Sequence, residues 1–391
     1  MGIKLAIVGC GAFCEHFVPL VKAHPLVDKV VLCDAVEEKL SRYMEKFQIA
    51  EGTTSFQDIL AGDYDGVMLF TQPWLHAPMI IDVLNSGKHV WCTVPVAESI
   101  DEIGKIVEAV QRNQRFYYIA ETSFFTPNTV YCRKQYNKGA FGRIVYAECE
   151  YYHDWDHGLY PIYQARGGKD WLKTAGSPPI WYCTHSISHV TSITKAHATH
   201  VSCAGFIDNN EDKVYRAGVN MYNNVFSGQT AIYRMSDGSI MRHNEFRRFG
   251  HIGAIRFSLF GTDGSYEDNT GAQQWVNKKE SVSVADLVTC AGGSMIDTGA
   301  GSQEGYAPIH DVDILPKEFL SDDIFKGHSG SHPFLVNDFV TSIWEKNPMP
   351  NNNIWDAART QIPGLIANES CLMGGQLLQV PDFGDPKPIK Y

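Results

Sequence analysis

A strand that runs straight into closely spaced glycines leaves a chain few choices of fold. Residues 3–8, "IKLAIV", form an unbroken apolar run. It ends in Gly9-Cys10-Gly11-Ala12-Phe13-Cys14, after which Phe17, Leu20 and Val21 share one face of a helical pattern through about Ala23. A buried strand, a glycine turn and a helix in that order place backbone N–H groups and the positive end of a helix dipole where a pyrophosphate can bind. Cys14 stands at the third position of the glycine fingerprint, where Gly or Ala is usual; it loosens helix–strand packing slightly without closing the phosphate site. The next apolar run, Lys29 to Cys33, ends in Asp34. A carboxylate about 20 residues beyond the glycines accepts both hydroxyls of an adenosine ribose and repels a 2′-phosphate. No arginine follows it directly, so the pattern predicts NAD(H) over NADP(H), contacted by Gly9, Gly11, Ala12, Phe13 and Asp34.

Further strand–helix units follow. The run Asp65 to Phe70 leads into Thr71-Gln72-Pro73-Trp74-Leu75-His76, with a helix expected from Pro78 to Ser86. His89 to Cys92 reads as another buried strand, ending at Thr93-Val94-Pro95, and a helix is expected over 99–113. "FYYIAETSFF" supplies the next strand, with Glu121 and Thr122 at its C-terminal end. Ligands of open parallel sheets bind beyond those ends. Thr71, Pro73, His76, Thr93, Pro95 and Glu121 are therefore expected on one cofactor rim.

From about Gly142 the pattern changes to alternating strands. "GRIVYAECEYY" alternates cleanly, and turn signals at Asp237-Gly238 and Asp263-Gly264 join further strands into hairpins. The expected class is α/β: an N-terminal Rossmann-type doubly wound parallel sheet over residues 1–125, then an α+β domain over 126–391 with a large open, mostly antiparallel sheet. Helices are expected over Pro333 to Lys346 and Trp355 to Met373, packing back on both domains, and "QLLQVPDF" as a closing strand. A net charge of −11 without any Lys/Arg block excludes a nucleic-acid partner held by phosphate neutralisation and points to a small molecule. No stretch is long and apolar enough to span a membrane, and the first apolar run has no basic segment of a signal peptide before it. The ten cysteines are scattered without a CxxC pair, which suits free thiols in the cytoplasm.

The ordered set "VGCGAF…CD…TQPWLH…GKHVWCTVP" resembles the glucose-fructose oxidoreductase / inositol dehydrogenase family (Gfo/Idh/MocA), nearly end to end. Most members carry Glu-Lys-Pro where this chain has Thr93-Val94-Pro95, and that lysine is usually catalytic. The branch without the lysine includes glycoside hydrolase family 109, whose Tyr-Pro-Thr-His segment is similar to Tyr182-Cys183-Thr184-His185, and whose "FGEIVHAEGAYIHD" run is similar to "GAFGRIVYAECEYYHDW". The chain departs at Cys183 and lacks the export signal common in that family. The resemblance implies NAD as cofactor, a sugar or glycoside substrate, and a homo-oligomer joined through the open sheet.

It also implies that His185 is the histidine that normally works with the missing lysine. Three activities are compatible with the pattern. The first is a redox-neutral glycosidase or eliminase: hydride leaves C3 of the sugar, the C2 proton becomes acidic, the C1 substituent is eliminated, water adds and hydride returns. His185 suits the 3-hydroxyl, Tyr182 either proton transfer, and Tyr151, Tyr152 or His153 the remainder. The second is a net sugar or polyol dehydrogenase with His185 as base. The third is a non-catalytic NAD-binding sensor, against which the polar density around Tyr182 and His185 counts.

The segment "EYYHDWDHGLYPIYQARGGKDW" supplies further candidates. His153, Asp154, Asp156 and His157 form either a metal site or, as preferred, a group for sugar hydroxyls, alongside Tyr152. Arg166 and Trp171 are either a substrate loop with a stacking platform or ordinary loop anchors. His189, one helical turn from His185, is either a packed residue or a substrate contact. His332 precedes a helix near the site, where its neighbouring serines can equally serve as caps. Arg247 and Arg248 read as a solvated or interface pair.

Overall fold

The computed structural model describes residues 2–251, 253–268, 272–290 and 303–391. Alternating apolar runs and amphipathic helices in the first third give a six-stranded sheet. Its strands are β1 (Ile3–Val8), β2 (Val27–Cys33), β3 (Gly52–Thr53), β4 (Gly66–Leu69), β5 (His89–Cys92) and β6 (Tyr117–Ile119). They lie in the order β3-β2-β1-β4-β5-β6, every pair parallel. This is the doubly wound order, and the strand order reverses between β1 and β4, where a crevice opens beyond the strand ends. The central strands β4, β5 and β6, and β1 apart from Lys4, are buried on both faces, as parallel sheets require.

Gly9 shows why the first turn needs glycine. Its φ is +99°, and a β-carbon there would lie 2.6 Å from the Phe70 carbonyl oxygen. The helix after the turn begins with one 3-10 turn, Cys14–His16, and continues over Val18–Ala23. The helix expected from Pro78 starts earlier, at Pro73, and runs to Asn85. Pro73 occupies the first turn, where its missing N–H costs nothing, and Pro78 is tolerated inside the helix as an exception.

The second sheet has nine strands: β7 (Ile144–Tyr152), β8 (Ala198–Ile207), β9 (Phe226–Met235), β10 (Ile240–Phe246), β11 (Ala254–Gly261), β12 (Gly264–Glu267), β13 (Gln274–Asn277), β14 (Ser281–Ser283) and β15 (Leu378–Gln379). Their order is β14-β13-β12-β11-β7-β10-β9-β8-β15. All pairs are antiparallel except β10 with β7. Both Asp-Gly turns close hairpins, β9–β10 and β11–β12.

Strand alternation divides β7. Ala147, Cys149 and Tyr151 are buried on the inner face, while Tyr146, Glu148 and Glu150 line the outer one with Arg242 and Arg256. The helices Thr184–Thr194 and Ile354–Leu372 cover the inner face, and the latter also touches β6 and the helix Ile100–Asn113 of the first sheet. That long helix carries the second glycine that matters. A β-carbon on Gly364 would overlap the Ile180 carbonyl oxygen and Cys183 Sγ, so the 3-10 turn Pro179–Tyr182 packs directly on helix backbone. The thiol of Cys183 donates to the Thr360 carbonyl at 3.1 Å, and Gln361 Nε2 donates to the Trp181 carbonyl at 2.7 Å. Among the described residues no helix is long and apolar enough to cross a membrane.

Candidate active site

The rim begins with the glycine turn. Gly11 and Ala12 are exposed, and a β-carbon on Gly11 would meet no atom within 4 Å, so the turn faces open space. Phe13 points the other way and packs on Phe17, Phe70, His328 and His332. At the end of β2 the half-buried Asp34 carboxylate is fixed by two backbone donors, Cys10 N and Val36 N, both at 2.8 Å. Each oxygen retains a lone pair for a further donor. A glycine turn with free approach and an anchored acid at the next strand end fit a dinucleotide with unsubstituted ribose hydroxyls. Replacing Asp34 with alanine is expected to weaken NAD binding roughly 10–100-fold, the worth of one charge-assisted bond or two, and to relax discrimination against NADP. Calorimetric titration with both dinucleotides checks this; unchanged affinity for both would refute the assignment.

His76 is buried, with Nδ1 2.6 Å from the Pro95 carbonyl oxygen and Nε2 3.1 Å from that of Thr71. It ties together the turns after β4 and β5, and Thr93 Oγ1 lies 3.4 Å from its Nε2. The Val94–Pro95 peptide is cis, and Val94 packs partly buried against the core.

Glu121, expected to touch cofactor, is turned toward a histidine instead. It is 1% exposed, and its Oε1 lies 2.7 Å from His185 Nδ1. Burial pushes the His185 pKa down, but the charge and hydrogen bond of Glu121 outweigh it, and the net shift is upward. For Glu121 burial raises the carboxyl, yet His185, the Ser123 N–H and Thr184 hold it below its ordinary value. The carboxylate thereby fixes the Nδ1–H tautomer and leaves Nε2 as the lone-pair nitrogen.

Two tyrosines complete the group. Tyr151, Tyr182 and His185 form a triangle with ring centroids 5.9, 5.8 and 5.3 Å apart. Tyr151 Oη lies 2.8 Å from His153 Nδ1, and His153 Nε2 lies 3.3 Å from the His157 carbonyl oxygen. A carbonyl only accepts, so Nε2 carries the His153 proton and the Tyr151 hydroxyl donates to a bare Nδ1. Burial, then Arg247, push the His153 pKa down to about 4, which keeps it neutral. Burial pushes the Tyr182 phenol up to about 12 and that of Tyr151 higher still.

Arg247 is not a solvated residue. Its guanidinium sits 4.6 Å from the Tyr151 ring centroid and 6.0 Å from that of Tyr182. It is held by Glu245 Oε2 at 3.1 Å; Glu245 Oε1 accepts Ser186 Oγ at 2.5 Å and His243 Nε2 at 3.0 Å. Arg248 binds Asp208 and Asp212 and anchors the 153–175 segment through Tyr160. Inward alternation of His243, Glu245 and Arg247 along "RHNEFR" was the available signal for this network.

Several expected substrate contacts lie elsewhere. Tyr152 faces the outer side of the sheet, bonded to Glu150 and packed on Phe249 and His251, because it follows Tyr151 by one position. Both Asp154 oxygens accept backbone donors, Asp156 N at 2.9 Å and Phe249 N at 2.8 Å, so it shapes a loop. Trp171, half-buried, packs on Trp155 and Tyr160 in a small satellite core. His189 is buried, stacked on Phe257 and bonded to Thr129 Oγ1 at 2.6 Å. His332 is buried behind Phe13, with Nε2 2.8 Å from His328 Nδ1. Arg166 is exposed near the Tyr163 ring, close enough for its charge to act on Tyr182. Among the described residues no group of three or more His, Cys, Asp or Glu is placed to hold a metal ion.

Residues 3–121 match the family model described as "Oxidoreductase family, NAD-binding Rossmann fold". An α-N-acetylgalactosaminidase of Tannerella forsythia is 21% identical over 97% of this chain and 86% of its own length. A glycosyl hydrolase family 109 protein of Shewanella pealeana is 26% identical over 39% of this chain, a match that spans only 36% of that protein. The levoglucosan dehydrogenase structure with NADH and levoglucosan superimposes with a TM-score of 0.72 at 18% identity, over 98% of this chain and 100% of the other. Myo-inositol 2-dehydrogenase from Lactobacillus plantarum gives a TM-score of 0.71 at 16% identity, over 97% and 100%. Residues 3–121 are thus a Gfo/Idh/MocA NAD-binding domain, and the chain as a whole resembles that family's lysine-lacking, family 109-like branch while sharing the fold of the sugar and inositol dehydrogenases.

Proposed function

We propose that the protein is an NAD-dependent, sugar-active enzyme that cleaves a glycosidic bond through transient oxidation of a ring carbon, C3. One observation carries this reading: two separate proton-handling pairs, His185–Glu121 and Tyr151–His153, converge on one triangle of rings. Net oxidation of an alcohol needs one base, whereas oxidation followed by elimination needs two. The names of the family 109 and α-N-acetylgalactosaminidase relatives support it.

The turn Gly9–Phe13 would hold the pyrophosphate, Asp34 the adenosine ribose, and Thr71, Pro73, Thr93 and Pro95 the nicotinamide side. Bound there, the cofactor supplies a reversible hydride acceptor for the sugar carbon. His185 Nε2 takes the 3-hydroxyl proton and keeps it, with Glu121 balancing the imidazolium, until the oxygen needs it again. Tyr182 bonds the same oxygen. Oxidation at C3 makes the C2 proton acidic; Tyr151 takes it while its phenolic proton moves to His153 Nδ1. The C1 substituent then leaves with the C1–O bond electrons as its oxyanion; water adds its hydroxyl at C1 and gives up the proton that the departed oxygen takes, while the reverse motion through His153 and Tyr151 returns the proton to C2 and the hydride returns to C3. Val94, in the place of a lysine, leaves this proton work to the two pairs.

Purified protein with NAD and a panel of 4-nitrophenyl glycosides tests the reading. Release of nitrophenol at constant NADH, abolished by His185→Ala, is expected. Steady NADH accumulation with intact glycosides would establish the second reading, a net sugar or polyol dehydrogenase, which the dehydrogenase folds favour. We also infer a division near residue 125, a cytoplasmic location, which ten unpaired buried cysteines suit, and pairing of copies through the outer sheet face, where Ile232 and Ile240 are exposed.

A further inference from the structure

The charge buried beside the two tyrosines asks for a purpose. A guanidinium taken nearly out of water costs several kcal/mol, and an apolar residue of the same volume would serve packing as well. Arg247 is nevertheless placed over the face of Tyr151 and within reach of Tyr182, rather than pointing to solvent. Nη2 donates to the Glu245 carboxylate and Nη1 to the backbone carbonyls of Tyr151 and Phe246, which fixes the guanidinium against the ring. Glu245 is itself pinned by Ser186, the neighbour of His185 on the helix Thr184–Thr194, and by His243. The cation, the phenol and the histidine are therefore parts of one rigid unit.

We propose that Arg247 is a positioning residue for proton transfer, whose buried positive charge stabilises the developing phenolate of Tyr151. This rests on the reading of Tyr151 as the second proton-transfer group. The groups facing Tyr151 are Arg247 and Glu245 from β10 and its end, His153 beyond β7, Tyr182 and His185 from the 179–194 segment, and Tyr163 from the helix Tyr160–Gly167. His153 is neutral, Glu121 balances His185, and Glu245 engages the far side of the guanidinium. Arg247 is thus the positive charge closest to the phenol ring, and burial strengthens its field there. The phenolic proton passes to His153 Nδ1 ahead of the arriving C2 proton, so partial negative charge on the phenolic oxygen lies within the field of Arg247; the same charge disfavours the proton on His153 and so favours its return. No electrons or further reactants enter the step.

A polyfluorinated tyrosine installed at position 151, acidic enough to bring the raised phenol into the range where the protein stays folded, reports the effect by fluorine NMR without substrate or cofactor. Arg247→Met is expected to raise the fluorophenol titration midpoint by roughly one pH unit or more, whereas Arg247→Lys, which keeps the charge, leaves it close to the parent value. Should Arg247→Met unfold the protein by stranding Glu245, the pair Glu245→Gln with Arg247→Met removes both charges; Glu245 acts on the phenol in the opposite direction and more weakly, so the midpoint still rises but by less. With a cleaved 4-nitrophenyl glycoside, the limb of the pH–rate profile set by the phenol moves to higher pH in the Met variants. An unmoved midpoint in a folded Met variant, or an equal rise with lysine, overturns the proposal. A shifted midpoint in a protein that cleaves no glycoside upholds the tuning by Arg247 and rejects the glycosidase reading instead.

Discussion

Replacing His185 with alanine is expected to lower turnover by about 10²–10⁴-fold, the usual worth of a positioned general base. The loss should fall on kcat more than on KM, because the proton is transferred at the reacting oxygen. Glu121→Gln is the more informative companion. It keeps the shape and a hydrogen-bond partner but removes the charge that lifts His185 against burial. In the parent protein the raised pKa places the acid limb of the pH–rate profile above the ordinary histidine value. The base must be neutral, so activity is present above that pKa and is lost as pH falls through it. Without the carboxylate, burial prevails, the His185 pKa falls, and the limb moves to lower pH while the plateau drops with the weaker base. A limb that stays in place in Glu121→Gln would remove His185 from the role of base.

Gly364→Ala should be damaging although Gly364 carries no side chain that could handle a proton. Its new methyl would collide with the Ile180 carbonyl and Cys183 Sγ, both held by bonds to the same helix or packed in the core. Overpacking of this kind costs typically 1–3 kcal/mol. Relief requires the turn Pro179–Tyr182 to lift off, and Tyr182 moves with it. A displacement near 1 Å of a reacting group costs about 100-fold in rate. Thermal unfolding and kcat/KM, measured together, should both fall. Parent-like kinetics in a destabilised protein would show that the turn does not position Tyr182.

Much of this arrangement was legible before any coordinates. The glycine turn, Asp34 and the parallel strand ends follow from local chemistry, and the Asp-Gly hairpins from turn preference. His185 and Tyr182 were readable through family resemblance. What sequence reasoning missed depends on contacts across the chain. Glu121 looks like one more rim residue until the helix Thr184–Thr194 is laid against the 3-10 turn Thr122–Phe125 that follows β6. Arg247 looks solvated until its strand is known to face the core. Tyr152, by contrast, was decidable: neighbouring strand positions face opposite ways, and Cys149 and Ala147 mark the inner side for Tyr151. His189 and His332 illustrate a different limit, since histidine in a helix gives no sign of whether its ring meets solvent, substrate or another ring.

The parity of β7 carries a consequence for how this chain can vary. A single residue inserted or deleted between Ile144 and Tyr151 would exchange the two faces beyond that point. The phenol opposite His153 would turn outward, and Glu150 would be driven inward against the aromatic triangle. Length in this strand is therefore far less negotiable than composition. Its outer positions can change one by one to suit whatever meets that face, while its frame is tied to the chemistry on the other side.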